Sequence, residues 1–115
     1  GDDSFFADSP AAQFFAISWK TEKVMALAAR NEDFVSGYAQ TDAFEDFAET
    51  FTLYVLHRDS MRQRAKKNVI IAAKLAWMEA NLPLQESVLD QSTYVWNGTV
   101  PWDATKLPLV LVSSL

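Results

Sequence analysis

The sequence has few of the residue types from which small proteins build reactive sites. Its 115 residues include no cysteine, three glycines and a single histidine, His57. The lack of cysteine excludes a disulfide scaffold, a thiol nucleophile and a cysteine-based zinc site. One histidine cannot supply the two of an H-E-x-x-H motif, and glycines at positions 1, 37 and 98 match neither a phosphate-binding loop nor a dinucleotide fingerprint. The chain therefore carries no complete catalytic set of these kinds.

Long hydrophobic runs are also missing. No apolar run approaches the roughly 18 residues that a membrane helix needs, so we expect no membrane partner. Apolar residues nevertheless make up 50% of the chain, which excludes a disordered tail. The chain begins with Gly1 instead of methionine, and we interpret residues 1–115 as a single domain or sub-domain, a fragment of a larger protein.

Basic residues are scarce outside one segment. Residues 1–50 contain ten acids and three bases, whereas residues 51–74 contain one acid and six bases. No aromatic residue lies between Arg58 and Lys67, and the net charge is −5, so we expect no nucleic-acid partner. We interpret the basic cluster as a solvated helix face. Its members are Arg58, Arg62, Arg64, Lys66, Lys67 and Lys74.

Apolar spacing and capping residues predict a chain that is mostly helical. A first helix starts at Ser9-Pro10, and a short helix follows over Thr21–Arg30. The clearest helix runs from Asp42 to His57, because Asp42 and Glu45 form an Asp-x-x-Glu cap. Five apolar residues share one side of that helix: Phe44, Phe47, Ala48, Phe51 and Val55.

A second long helix is predicted from Ser60, whose capping-box partner is Gln63, to about Asn81. The short break between the two long helices favours an antiparallel helical hairpin. Beyond it, residues 93–96 are typical of a strand and Asn97-Gly98 is a strong turn signal. The expected fold class is therefore mainly α with minor β: a helical hairpin core with a small β-rich C-terminal tail.

Two glutamates on the clearest helix are the first candidates for chemistry. Glu45 and Glu49 are four residues apart, so they share a helix face, and like charges at this spacing repel each other. A cation, a metal, the helix N-terminus or a buried hydrogen bond would offset that repulsion. Spacing alone does not choose among these, and an ordinary surface helix can carry the same pair.

The wider pattern around these glutamates has a family resemblance. Residues 38–51 read Y-A-x-T-x-x-x-E-D-F-A-E-x-F, which resembles the third-ligand segment of gluzincin-type zinc metallopeptidases, in particular the lethal-factor-like and related bacterial zinc-binding families. The resemblance implies that Glu45 is a zinc ligand and that the Tyr38 hydroxyl stabilises the developing oxyanion. It also implies that Glu49 is a supporting carboxylate on the same face, with Asp46 serving the helix N-terminus instead.

The same resemblance shows what the chain lacks. H-E-x-x-H is absent, so both histidine ligands and the general base would lie in another part of a larger parent protein. His57 does not replace them, because it is twelve residues past Glu45, about 120° around an ideal helix. We interpret His57 as a helix C-terminal histidine beside the helix dipole.

These points define the leading functional hypothesis. The intact parent would be a zinc-dependent hydrolase of peptide or protein substrates in an extracytoplasmic compartment, periplasmic or secreted. The present chain alone would be inactive and would hold no zinc tightly.

Two alternatives remain: a non-catalytic helical binding module whose glutamates pair with a basic partner, and a fragment that self-associates through exposed apolar surface. Tyr94, Trp96 and Trp102 are read as core aromatics or as the lining of a peptide groove.

Overall fold

The structure is a computed structural model that describes residues 10–84 and 92–109. Within these ranges the chain is mainly helical, with a small amount of β structure, which confirms the expected fold class. The helices are α1 (Ala12–Ser18), α2 (Ala43–Leu56), α3 (Arg58–Ala65) and α4 (Val69–Asn81). Strands β1 (Trp19–Thr21) and β2 (Val24–Met25) pair antiparallel, and 3₁₀ turns span Asn31–Asp33, Tyr38–Gln40 and Ala104–Lys106.

Helix α2 begins and ends where its caps predict. Asp42 accepts a hydrogen bond from the Glu45 backbone N–H at 2.8 Å, and the backbone N–H of His57 closes the last turn on the Leu53 carbonyl. Its buried side overlaps only in part with the predicted phenylalanine side, of which Phe47 and Val55 pack on the core. Phe44 is 50% exposed and Phe51 38%, while the helix buries three polar side chains and three apolar ones: Asp46, Glu49, Thr50, Ala43, Leu53 and Tyr54.

The predicted second long helix is two helices. The α-helical pattern stops at Ala65 and resumes at Val69, because the Asn68 side chain accepts hydrogen bonds from the backbone N–H groups of Ile70 and Ile71 and so caps a new helix. The break places α3 as a short connection between α2 and α4.

The antiparallel hairpin expected from the short break is not formed. Residues near the start of α2 contact the middle of α4, and a residue near the end of α2 contacts the residue that follows α4. The two helices therefore run in the same direction. Near the start of α2, Asp46 pairs with Lys74 and Phe47 packs on Trp77. At its end, the Tyr54 hydroxyl donates to the carbonyl of Leu82, which follows α4. α3 therefore acts as a crossover between parallel neighbours.

The strands of the described residues, β1 and β2, lie near their N-terminal end. The helix predicted over Thr21–Arg30 is wrong: β1 and β2 form a hairpin there, with Trp19 opposite Met25. Residues 93–97 form no strand, and pairing in that part consists of an isolated bridge between Ser92 and Leu109. We name residues 92–109 the C-terminal segment. Two of its carbonyls, those of Pro101 and Trp102, accept backbone hydrogen bonds from Gly37 and Tyr38.

Aromatic rings pack against one another between α1, α2 and α4. The Phe14 ring packs edge-on against Phe47 at 5.2 Å and Trp77 at 5.6 Å, and the Phe47 and Trp77 rings meet at 5.5 Å. Such pairs add about 0.5–1.5 kcal/mol each beyond the area they bury. This aromatic core fixes α2, the helix that carries the candidate site.

Candidate functional site

Tyr38 lies in a short turn immediately before α2 and its side chain is 40% exposed. Two backbone hydrogen bonds of 2.8 Å hold this turn to the C-terminal segment: Gly37 N–H to the Pro101 carbonyl and Tyr38 N–H to the Trp102 carbonyl. The Tyr38 and Trp102 rings meet edge-on with centroids 6.3 Å apart. The turn therefore presents the Tyr38 ring from a backbone that is fixed on one side.

Gly37 is required by the closeness of this contact. A Cβ atom at position 37 would overlap the six-membered ring of Trp102, whose own outer surface remains 68% exposed. Trp102 is thus neither a core residue nor the wall of a deep groove. It covers the Gly37 backbone and lies beside Tyr38.

Glu45 occupies the first turn of α2 and is half-buried. Its backbone N–H is capped by Asp42, and the residue lies near the partial positive charge of the helix N-terminus. Among the residues that the structure describes, none forms a hydrogen bond or ion pair with the Glu45 carboxylate. This oxygen pair is therefore open to a ligand or partner from outside the described part of the chain.

Glu49 is buried and already engaged. Its Oε1 accepts a 2.6 Å hydrogen bond from the Ser36 hydroxyl and a 2.8 Å bond from the Ala104 backbone N–H, with the side chain 5% exposed. The sequence left open whether a cation, a metal, the helix N-terminus or a buried hydrogen bond offsets the repulsion between the two glutamates. For Glu49 the structure shows buried hydrogen bonds. The carboxylate joins α2 to the segment before Tyr38 and to the C-terminal segment.

The C-terminal segment therefore links two of the three predicted site residues. It bonds to the Tyr38 backbone through Trp102 and to the Glu49 carboxylate through Ala104, and Glu45 lies one helical turn before Glu49. No hydrogen bond joins any two of Tyr38, Glu45 and Glu49 in the described structure. Their assignment as hydroxyl donor, zinc ligand and supporting carboxylate stays a prediction.

The described residues contain no group of three His, Cys, Asp or Glu side chains that could hold a metal ion. His57 caps the C-terminus of α2, as its position predicts, but it is buried, and its Nδ1 contacts the Ser92 hydroxyl. Burial lowers the pKa of His57, so the ring is neutral near pH 7 despite the helix dipole. Its Nε2 is buried without a hydrogen-bond partner in the described structure.

The most strongly buried charges lie next to the site and were not predicted. Asp46 and Lys74 form a 3.0 Å ion pair with both side chains fully buried. Trp19 Nε1 also donates to Asp46, and Lys74 donates to the Asp33 carbonyl at 2.8 Å. Burial raises the pKa of Asp46, although Lys74 opposes the shift, and burial lowers the pKa of Lys74. Asp46 lies in the first turn of α2, where it was assigned to the helix N-terminus, but its side chain is internal and pairs with Lys74.

Arg64 is a second internal cation in the segment that was read as a solvated face. Its guanidinium donates to the carbonyls of Val35 at 3.0 Å and Phe34 at 2.7 Å, and it stacks 4.3 Å from the Trp96 ring centroid. Burial lowers the pKa of Arg64 to about 10. Lys74 and Arg64 therefore correct the solvated-face interpretation for two of the six basic residues. The position of Lys74 within an otherwise apolar helix was the sequence signal that could have indicated its burial.

Comparison with known proteins adds no relative: neither a protein-family model, nor a curated protein, nor a solved structure matches this chain. In the described part of the chain, no helix combines the length and the apolar character needed to cross a membrane. Functional inference therefore depends on the site residues and their surroundings.

Proposed function

We propose that this chain is the third-ligand segment of a zinc-dependent metallopeptidase domain, which acts together with an H-E-x-x-H helix supplied elsewhere in an intact parent protein. The observation that carries the proposal is the arrangement around the start of α2. Tyr38 projects from a turn fixed by two backbone bonds, and Glu45 follows seven residues later with its carboxylate unengaged in the described structure.

The donor set of the chain fits one zinc ligand and not a complete site. Glu45 offers a carboxylate, whereas His57 is held by Ser92 and no three-residue group is present in the described ranges. Zinc bound by two histidines and a glutamate activates water toward a peptide carbonyl. The Tyr38 hydroxyl would donate a hydrogen bond to the oxygen on which negative charge develops. Glu49 would keep α2 in register with the Tyr38 turn.

The pattern of buried and exposed residues on α2 also supports the proposal that a further helix of the parent protein packs against it. Ala48 and Phe51 are exposed on the side of the helix opposite the buried Asp46 and Thr50. Glu45 lies between that open side and the buried side, which suits a helix that packs on Ala48 and Phe51 and brings ligands toward Glu45. The parent substrate would be a peptide or protein, and an extracytoplasmic location follows from the resemblance alone.

The test uses the longest reading frame that contains this sequence. We expect it to encode H-E-x-x-H upstream of Glu45 and to bind one zinc per chain by elemental analysis. Glu45→Gln should lose zinc, whereas Tyr38→Phe should keep zinc and lose on the order of 10²–10³ in kcat. Asp59→Asn, a change at a carboxylate that is 71% exposed, is the matched control and should alter neither. A full-length protein without H-E-x-x-H, or normal cleavage by both variants, rejects the proposal.

A non-catalytic helical binding module is the second candidate. It is favoured by the absence of a three-ligand metal group in the described residues together with the exposed Ala48 and Phe51 side of α2. This candidate predicts that Phe51→Asp abolishes partner binding while zinc content stays at zero in every variant. Zinc bound in proportion to the full-length protein rejects it.

A further inference from the structure

The turn at Asn97-Gly98, in the C-terminal segment, carries a reactive pair that the proposed function does not use. Asn97, Gly98 and Thr99 are exposed, and Asn97 Oδ1 accepts a hydrogen bond from the Thr99 backbone N–H at 2.9 Å. This bond closes a small ring that contains both the side-chain amide carbon of Asn97 and the backbone nitrogen of Gly98. The side-chain amide is thus folded back along the peptide bond that follows it.

Gly98 leaves that peptide bond open to the side chain before it. Its φ is +89°, a conformation that glycine adopts readily and other residues rarely adopt. A Cβ atom placed on Gly98 would meet no heavy atom of the described structure within 4 Å, its chain neighbours aside. The nitrogen of Gly98 is therefore shielded neither by a side chain of its own nor by a described residue from elsewhere in the fold that packs against that side.

The other three asparagines of the chain lack this arrangement. Asn31, Asn68 and Asn81 are followed by glutamate, valine and leucine, so a side chain stands beside the nitrogen that follows each of them. Each of these three side-chain amides also bonds to a residue four or more positions away, and the partners are Gln40, Asp33 and Trp77. Asn97 is thus the asparagine whose amide carbon is most accessible to its own backbone.

We propose that Asn97 is an intrinsic modification site, at which the folded protein converts this asparagine to aspartate and isoaspartate with water as the co-reactant. In the first step the Gly98 nitrogen forms a bond to the Asn97 side-chain amide carbon, and the bond from that carbon to Nδ2 breaks. The proton of the Gly98 N–H leaves with Nδ2 as ammonia, and a five-membered succinimide ring remains. The Thr99 N–H, which already bonds to Oδ1, stabilises the negative charge that develops on this oxygen.

In the second step water opens the ring. Attack at the side-chain carbonyl breaks its new bond to the Gly98 nitrogen and gives aspartate. Attack at the backbone carbonyl of residue 97 breaks the original peptide bond and gives isoaspartate, which adds one carbon to the backbone path. Either product places a new negative charge on the exposed turn. The modification uses none of Tyr38, Glu45 and Glu49, so its failure and the failure of the metallopeptidase proposal are separate results.

The first test incubates the folded chain near physiological pH and temperature and follows it by intact mass and peptide mapping. Position 97 should gain the mass difference between an amide and an acid, with isoaspartate beside aspartate, while the other three asparagines keep their amides. Direct attack of water on the side-chain amide gives aspartate alone, so aspartate without isoaspartate overturns the route through Gly98. The chain unfolded in urea sets the time scale. An intact Asn97 in the folded chain, over a period in which the unfolded chain converts it, overturns the proposal.

Two substitutions test the roles of the reacting pair. Asn97→Gln keeps a side-chain amide but requires a six-membered ring, and it should abolish conversion over the same period. Gly98→Ala should slow conversion about tenfold, because a side chain disfavours the positive φ and crowds the attacking nitrogen. Asn31→Gln, at another exposed asparagine, is the matched control and should leave conversion at position 97 unchanged. Circular dichroism checks that each variant is folded. Conversion of Gly98→Ala as fast as that of the unmodified chain overturns the role of Gly98.

Discussion

Two regions of the molecule hold α2 in place by different means. The inner region joins α2 to α4 through the fully buried Asp46–Lys74 ion pair, with Trp19 bonded to the same carboxylate. The outer region joins α2 to the C-terminal segment through the Glu49 carboxylate, backbone bonds at the Tyr38 turn, and the His57–Ser92 contact. The inner region depends on a buried ion pair, whereas the outer region depends on separate hydrogen bonds to the C-terminal segment.

Because the two regions are held differently, we expect the inner region to stabilise the whole fold and the outer region to stabilise the Tyr38 turn. A buried charge left without its partner is strongly destabilising, so the inner region should fix the fold as a whole. Single hydrogen bonds contribute about 0.5–1.5 kcal/mol each, so the outer region can be altered while the helices stay folded. Tyr38 and Glu49, two of the three predicted site residues, belong to the outer region. Variants can therefore separate effects on stability from effects on the Tyr38 turn.

The largest expected effect comes from breaking the inner pair. Lys74→Met leaves the Asp46 carboxylate buried without a cation and should cost about 3–5 kcal/mol in the free energy of unfolding. Urea denaturation followed by circular dichroism measures it, and Lys67→Met, at an exposed lysine, is the control with little change expected. The double variant Asp46→Asn with Lys74→Met should recover part of the loss. Equal stability of Lys74→Met and Lys67→Met would contradict the inner region's role.

Gly37→Ala should give the next largest effect, because the added methyl group overlaps the Trp102 ring. Overpacking of this kind costs about 1–3 kcal/mol. In a Trp102→Ala background the same change should cost much less, since the overlapping ring is gone. Urea denaturation of the two single variants and the double variant measures this coupling. Additive effects would show that the contact between Gly37 and Trp102 is not tight in solution.

Glu49→Gln should have a smaller effect that is confined to the outer region. The amide keeps the shape but loses the charge that strengthens the bonds from Ser36 and Ala104, a loss of about 1 kcal/mol. Amide hydrogen exchange should become faster at Ala104 and stay unchanged in α4. Glu32→Gln, at a side chain 56% exposed, is the control and should leave Ala104 exchange unaltered. Faster exchange in both regions would mean that Glu49 supports the whole fold.

Local sequence signals predicted the elements that depend on local contacts. The start of α2 followed from Asp42 and Glu45, because the cap is a bond between residues three apart. The hairpin at β1 and β2 was missed although Trp19 pairs locally with Met25, because Val24, Leu27 and Ala28 also fit a helical spacing. The direction of α4 relative to α2 depends on tertiary pairs that spacing does not reveal.

The candidate site was predictable in part for the same reason. A family-like pattern singled out Tyr38, Glu45 and Glu49, yet the actual partners of Glu49 are Ser36 and the distant Ala104. An acid on a helix with otherwise apolar neighbours does indicate burial, but it does not say which cation or N–H it will meet. Long-range pairing decided what each carboxylate does.

His57 gives the smallest predicted effect and extends the comparison to pH. Burial lowers its pKa in the folded state, so the unfolded chain binds a proton more readily around the ordinary value of 6.5. The stability contributed by neutral His57 is therefore present above pH 6.5 and is lost as the pH falls below it, by at most about 1.4 kcal/mol per pH unit. Unfolding free energies between pH 7.5 and 5.5 measure this slope. His57→Gln should flatten it, because the amide does not titrate, whereas an unchanged slope would assign the pH dependence to other groups.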